Sequence, residues 1–200
     1  MSSDEKGGLS QAARPSGLSG WIAGLYLRWR NADLNAAAVD ALVPFPGDRV
    51  LEIGFGPGEA LRRLAAVRDI NRVAGIDHSR TMLAMAAQRN RPAIAQGLVD
   101  LHLASIAAAP FDERSFDAVL AVDCAQYWSD LVGDLAIVRR LLRPGGRALF
   151  GLHGGDAGVR ALSPAKLTHA LTAAGFVHVT TERAETRPAP STLILGRRPI

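Results

Sequence analysis

An apolar strand, three glycines at alternate positions and the start of a helix follow one another in Val50-Leu51-Glu52-Ile53-Gly54-Phe55-Gly56-Pro57-Gly58-Glu59-Ala60-Leu61. No other stretch constrains the fold as much. A strand that passes through a glycine turn into a helix brings bare backbone N–H groups up to a nucleotide-like ligand. A side chain on Gly54 or Gly56 would fill the space such a ligand needs, and glycine tolerates the positive φ of a tight turn. The dinucleotide fingerprint G-x-G-x-x-G fits at Gly54 and Gly56 but meets Glu59 at its third glycine. There a carboxylate would spoil close helix packing and repel a pyrophosphate at the helix N-terminus. Glu52, two residues before the first glycine, fits a ligand that carries positive charge.

Strands and helices alternate along the rest of the chain, which predicts a parallel sheet covered by helices on both faces. The expected strands are Arg49 to Ile53, Arg72 to Ile76, Leu98 to Leu103, Phe116 to Val122 and Arg147 to Leu152, with two more around Phe176 to Glu182 and Ser191 to Arg197. The expected helices are Ser19 to Leu42 (with a break near Asn31), Glu59 to Val67, Thr81 to Asn90 capped by Ser79, Leu131 to Leu142 and Pro164 to Ala174. Pro92 is expected to end the third of these, and Pro144-Gly145-Gly146 to separate the fourth from the fifth strand.

Composition narrows the classes. Two hundred residues with 48% hydrophobic content make one α/β domain with a real core. The net charge of +4 comes from scattered arginines, so nucleic acid is not indicated as a partner. One cysteine, Cys124, excludes a disulfide framework and a multi-cysteine zinc site, and points to a reducing, cytoplasmic compartment. No run approaches the length of a membrane span and no signal-peptide core is present.

An acid at the strand end followed by G-x-G-x-G resembles motif I of the class I (Rossmann-like) S-adenosylmethionine (SAM)-dependent methyltransferases. The resemblance extends from about residue 34 to residue 200. Asp77-His78-Ser79-Arg80-Thr81-Met82-Leu83 resembles D-x-S-x-x-M-L, and Ala104-Ser105-Ile106 with Ala109-Pro110-Phe111 resembles G-D-A…L-P-F. Asp112 to Val119 and Leu142-Arg143-Pro144-Gly145-Gly146 match later motifs. The nearest likeness is to the ubiquinone/menaquinone-biosynthesis group, which acts on small molecules. The resemblance implies a three-layer sandwich around a seven-stranded, mostly parallel sheet of order 3-2-1-4-5-7-6, its last strand antiparallel. It implies SAM as cofactor, S-adenosylhomocysteine as product, and a small-molecule acceptor that is apolar or lipid-like. It divides the chain into a disordered tail (1–17), a helical lid segment (18–45) and a SAM-binding domain (46–200). Two rival readings are a NAD(P)-binding oxidoreductase and a catalytically silent SAM-binding protein.

The cofactor residues expected on this basis are Glu52, Gly54, Phe55, Gly56, Gly58, Asp77, His78, Met82, Ser105, Ile106, Asp123 and Tyr26. Asp77 would accept the two ribose hydroxyls, though it is also placed to cap the following helix. Ser105 departs from the usual acid at the adenine amino group and leaves that contact to a hydroxyl or to the backbone of Ile106. Glu52 could instead cap a helix or pair with an arginine, and Asp117 reads as a structural turn residue. Methyl transfer is an in-line displacement, so positioning and exclusion of water do much of the work, and a base is needed only for a hydroxyl or carbon acceptor. His153 and Tyr127 are the catalytic candidates; a hydrogen-bonded loop histidine is an equally good account of His153. Tyr127 and Trp128 could wall the methyl group. Asp123 and His153 lack a third ligand, so no metal site is expected. The N/D-P-P-Y/F motif is missing, which counts against a nucleic-acid base as acceptor.

Trp21, Leu25 and Trp29 recur at helical spacing with Ile22 and Tyr26 beside them. This stripe fits a lid over the cofactor, a peripheral membrane contact through residues 20–30, or core packing. About ten residues lie between the fifth strand and the helix at Pro164, too few for an inserted cap. The acceptor site is therefore formed by the N-terminal helices, left open, or completed by a second subunit in a homodimer.

Overall fold

A computed structural model describes residues 17–154 and 162–200. The expected tail falls almost wholly, and the short connection before Pro164 largely, outside the described residues. Helices α1 (Gly17–Arg30) and α2 (Ala32–Leu42) precede β1 (Arg49–Ile53), α3 (Glu59–Ala65), β2 (Arg72–Asp77), α4 (Arg80–Arg89), α5 (Arg91–Ala95) and β3 (Val99–Leu103). Then come β4 (Phe116–Val122), α6 (Leu131–Leu141), β5 (Leu142–His153), α7 (Pro164–Ala173), β6 (Val177–Ala184) and β7 (Ser191–Arg197), with short 3₁₀ turns at Ile106–Ala108 and Ala125–Tyr127.

The seven strands form one sheet of order β3-β2-β1-β4-β5-β7-β6. All pairs are parallel except those of β7, which runs against both β5 and β6. This is the expected architecture. Each central strand is apolar on both faces and so feeds two cores. Leu51, Ile53, Val119, Ala121 and Phe150 meet Leu135, Val138, Leu167 and Leu171 of α6 and α7. Val50, Val73, Leu120 and Leu149 meet Leu34, Val39, Leu61 and Met82 of α2, α3 and α4.

Helix α4 ends at Arg89, ahead of Pro92 as expected, and Pro92 itself occupies the first turn of α5, where its missing N–H has no partner to lose. One expectation is corrected. Pro144-Gly145-Gly146 does not separate α6 from β5 but bulges within β5, where the pairing jumps from Phe116↔Leu142 to Ala118↔Arg147. Gly145 takes φ +74° there, and the bulge is tied to the C-terminal tail by Gly145 N–H to Arg198 O (3.1 Å) and Arg198 N–H to Gly146 O (2.8 Å).

Because β1 lies between β2 and β4, the chain leaves β1 to one side and later returns to the other, opening a crevice at the strand carboxyl ends. Register sets these ends level: Ile53 pairs with both Ile76 and Ala121. Gly54 and Asp77 come next, and Asp123 follows one residue after Val122, so all three lie at the same end of the sheet beside the crevice.

Candidate active site

The crevice is a cavity of about 720 Å³, within the usual size range of small-molecule sites. Its floor is the glycine turn, its walls are the ends of β2 and β4, and its roof is the α1–α2 junction with Tyr26, Arg30, Asn31 and Asn35. All expected cofactor residues line it except Gly58, and of the catalytic pair Tyr127 lines it while His153 does not.

The three loop glycines have positive φ (70°, 50° and 80° at Gly54, Gly56 and Gly58), yet each is there for a different reason. A Cβ on Gly54 would come within 2.7 Å of Cys124 Cβ, so what fills that space is the β4 turn rather than a ligand. A Cβ on Gly56 would meet nothing within 4 Å, so the space beside this cavity-lining residue is open. One on Gly58 would approach Ala86 Cα to 2.9 Å, so the third glycine lets α4 pack against the loop. Asn90 secures that contact with a hydrogen bond from Nδ2 to Gly58 O (3.1 Å).

Asp77 organises the loop. Its Oδ2 accepts from Gly56 N–H (2.9 Å) and its Oδ1 from Ser79 N–H (2.8 Å). The helix-cap role belongs instead to Ser79, whose Oγ accepts from Met82 N–H at the start of α4 (3.3 Å). Burial pushes the Asp77 pKa upward against the opposing pull of these two N–H donors.

Glu52 is 2% exposed, and its Oε2 has no hydrogen-bond partner. Burial and the neighbouring Asp77 carboxylate drive its pKa well above the ordinary value. A buried, unpartnered carboxyl oxygen in a cavity wall is costly until a donor or cation reaches it. Glu59, by contrast, is not part of the wall. Burial would raise its pKa, but Arg62 (2.8 Å), Arg63 (3.2 Å) and Arg89 (2.6 Å) bind it, and its pKa is lowered. Glu59 therefore does not repel a pyrophosphate at the loop, because its charge is neutralised by three arginines.

Cys124 donates its thiol to Ile53 O (3.1 Å), and burial with the surrounding acids Asp77, Asp123 and Glu52 keeps the thiol protonated. Asp123, with φ +51°, pairs with Arg30 of α1 (3.0 Å) and accepts from Gln126 Nε2 at Oδ1 (3.2 Å). His153 stands behind the cavity wall. Its Nε2 contacts Asn31 Oδ1 (2.9 Å), its Nδ1 contacts Ser191 Oγ (3.3 Å), and burial lowers its pKa. With the carbonyl of Asn31 as acceptor, Nε2 carries the proton and Nδ1 receives the serine hydroxyl. Asp117 is structural, accepting from Arg49 N–H (2.8 Å) and Arg143 Nη1 (2.6 Å). Among the described residues, no three His, Cys, Asp or Glu side chains converge as a metal site.

Arg30, Asn31 and Asn35 were missed as site residues by sequence reasoning. The only signal for them was the helix break near Asn31, because nothing in the local sequence shows that this junction lies over the strand ends.

Residues 51–150, half of the chain, match the family described as methyltransferase domain. The chain belongs to this family. An uncharacterized methyltransferase of Bacillus subtilis, YdaC, is 29% identical over 185 residues, which is 89% of this chain and 98% of that protein. Demethylmenaquinone methyltransferase of Tropheryma whipplei is 37% identical over 125 residues, 60% of this chain but only 45% of that protein. Among solved structures, a Haloferax volcanii putative methyltransferase in complex with the Trm112 activator has TM-score 0.77 at 21% identity, covering 89% of this chain and 94% of that one. Haemonchus contortus phosphoethanolamine N-methyltransferase 2 in complex with SAM has TM-score 0.74 at 18% identity, covering 90% and 57%. At these identities the structures attest the fold alone. The chain is thus a SAM-dependent methyltransferase domain with the expected class I fold, and the cavity fits that cofactor. Glu52 receives the Leu61 N–H of α3 and leaves its Oε2 for a donor or cation, Gly56 leaves room at the backbone, and Asp77 is anchored beside both.

Proposed function

We propose that this domain transfers a methyl group from SAM to a small, largely apolar acceptor held under the α1–α2 junction. The observation that carries the reading is the unpartnered, buried Glu52 oxygen beside the anchored Asp77, both in the wall of a cavity roofed by Tyr26, Ala23 and Leu27. SAM supplies an electrophilic methyl group on a sulfonium, open to in-line displacement. In this reading Glu52 faces the cationic end, Asp77 holds the ribose hydroxyls and the Gly54-Phe55-Gly56 backbone passes beneath. Met82, Ser105, Ile106 and His78 surround the adenine side. Asp123 and Tyr26 bound the methyl end, with Tyr127 and Trp128 as the opposite wall. Tyr127 is the catalytic candidate that faces the cavity. His153 acts through Asn31, fixing the helix junction, and Arg30 with Asp123 ties α1 across the entrance. The small-molecule reading draws support from relatives such as the demethylmenaquinone enzyme, and a cytoplasmic setting from the single, protonated Cys124. No described helix is long and apolar enough to cross a membrane.

Calorimetry with SAM, S-adenosylhomocysteine and NAD tests the cofactor half: SAM and its product should bind and NAD should not. Binding of NAD without SAM overturns the proposal. Turnover of labelled SAM with apolar metabolite fractions tests the acceptor half. Transfer only to polar acceptors would contradict it, and no transfer to any fraction would favour the silent SAM-binding protein.

Glu52 adds a pH signature. Its pKa is raised by burial, so its neutral form stabilises the ligand-free fold at low pH, and that contribution is lost as pH rises through the folded-state pKa. A bound cation favours the ionised form. SAM binding should therefore release protons and tighten as pH rises toward that pKa. Calorimetry in buffers of different ionisation enthalpy should show the release in the native protein and its loss in Glu52→Gln. Equal proton counts in the two proteins would remove Glu52 from the cation site.

A further inference from the structure

Helix α1 has its amphipathicity reversed. Its inner side carries small residues: Gly20 and Gly24 are buried, and Gly24 sits directly on Met82 and Met85 of α4. Its large apolar residues face solvent instead, with Trp21 39%, Ile22 64%, Leu25 52%, Tyr26 56% and Trp29 70% exposed. At roughly 100° per residue these five side chains cover an arc of about 140°. The stripe is therefore not core, and an exposed contiguous patch of this kind marks an interaction surface.

The two borders of the arc differ. On one side Tyr26 turns into the cavity lining, so the apolar face runs into the mouth of the acceptor site. On the other side stands Arg28, near enough to Arg89 for the two guanidinium groups to repel. Arg89, Arg62 and Arg63 share the single carboxylate of Glu59, leaving a surplus of positive charge along this border. Helix α1 contains no acidic residue. Tryptophan and tyrosine with a cationic rim fit the interface of an anionic bilayer.

The other occupants fit less well. A second copy packed antiparallel on this face would bring two arginine borders together. The sixteen residues before α1 hold only Met1 and Leu9 as large apolar side chains, too few to cover five. We infer that the outer face of α1 docks on an anionic lipid surface, delivering a membrane-dissolved acceptor directly to the cavity mouth beside Tyr26.

Vesicle co-sedimentation of the full chain tests this, with pure phosphatidylcholine against an equimolar mixture with phosphatidylglycerol. The protein should partition roughly ten-fold more strongly to the anionic vesicles, with tryptophan emission shifted to the blue, and release as salt screens the attraction. The triple substitution Trp21→Ala, Leu25→Ala, Trp29→Ala should abolish partitioning while SAM affinity, which these residues do not touch, is kept; that retained affinity shows that the variant is folded. Arg28→Glu should remove the preference for anionic lipid. Failure of the native protein to bind either vesicle overturns the inference, as does equal binding by the triple variant. So does a dimer in light scattering that the triple substitution dissolves in the absence of lipid. The inference extends the reading of the acceptor as apolar. Vesicle binding needs no turnover, however, so its loss with SAM binding intact condemns the docking face and not the proposed function.

Discussion

Asp77→Ala should weaken SAM binding about 30- to 150-fold, the equivalent of 2–3 kcal/mol for charge-assisted hydrogen bonds to two hydroxyls. The residue is 7% exposed at the end of β2, and its two oxygens already accept one N–H each from Gly56 and Ser79. Each carboxylate oxygen has further acceptor capacity, which a ribose could use without breaking either bond. Because Ser79 caps α4 with its own hydroxyl, losing Asp77 does not uncap the helix. The fold should survive with a small fall in Tm while affinity collapses. Calorimetry and thermal melts on the same samples separate the two effects. Asp77→Asn is the sharper control, since it keeps one carbonyl oxygen for the loop but loses the charge, and it should be nearly as weak as alanine. Affinity within two-fold of native in both variants would mean that Asp77 serves only to shape the glycine turn.

Arg147→Met should have the largest effect on stability. Arg147 is 7% exposed, and its Nε donates to Leu42 O (2.8 Å) while Nη2 donates to Val43 O (2.8 Å) and to Asp48 Oδ2 (2.5 Å). It thereby satisfies the last carbonyls of α2, where Val43 turns left-handed, and neutralises a buried acid that also accepts from Phe45 N–H (2.8 Å). The Phe45 ring lies 4.9 Å from the guanidinium carbon and covers it. Methionine preserves volume but strands Asp48 and two carbonyls, and removing one partner of a buried pair costs about 3–5 kcal/mol. For a domain of this length that is a fall in Tm of roughly 6–20 °C. Adding Asp48→Asn to Arg147→Met should recover part of the loss, because the stranded charge is gone. A melt within about 3 °C of native for Arg147→Met would show that water replaces the guanidinium at little cost.

Anchoring α2 in this way matters for function, since α2 continues from Asn31 and the junction that roofs the cavity. None of this was legible locally. Arg147 reads in the sequence as the first residue of a strand after a proline-glycine turn, and Asp48 as a loop acid. Their pairing across 99 positions arises because β5 lies beside β4, two strands from β1, where the end of α2 packs.

The glycine loop shows the same division within a single motif. Glu52 and Asp77 were legible as residues of the crevice because strand ends in a parallel sheet converge, and the register of β1 with β2 brings them to the same end of the sheet, where both line the cavity. The separate duties of the three glycines were not, since Cys124 and Ala86 come to them from β4 and α4. Glu59 was misread for a related reason. Its position beside the loop is local, but its direction was set by Arg89, thirty residues away.

The sequence by itself determined the alternation of strand and helix, the glycine turn and the acids at the strand ends. These follow from short-range periodicity and from residues whose backbone freedom or charge has few other uses. The sheet order and the cofactor class were implied by the family that these motifs resemble. The tertiary structure alone decided which faces meet. It placed Arg30, Asn31 and Asn35 over the cavity, set His153 behind Asn31, turned Glu59 away, and left the aromatic side of α1 in solvent. A helix presents its stripes equally to any neighbour, so which stripe is covered depends on what packs beside it. Here Gly24 lets α1 approach α4 closely, and the large residues were left facing out.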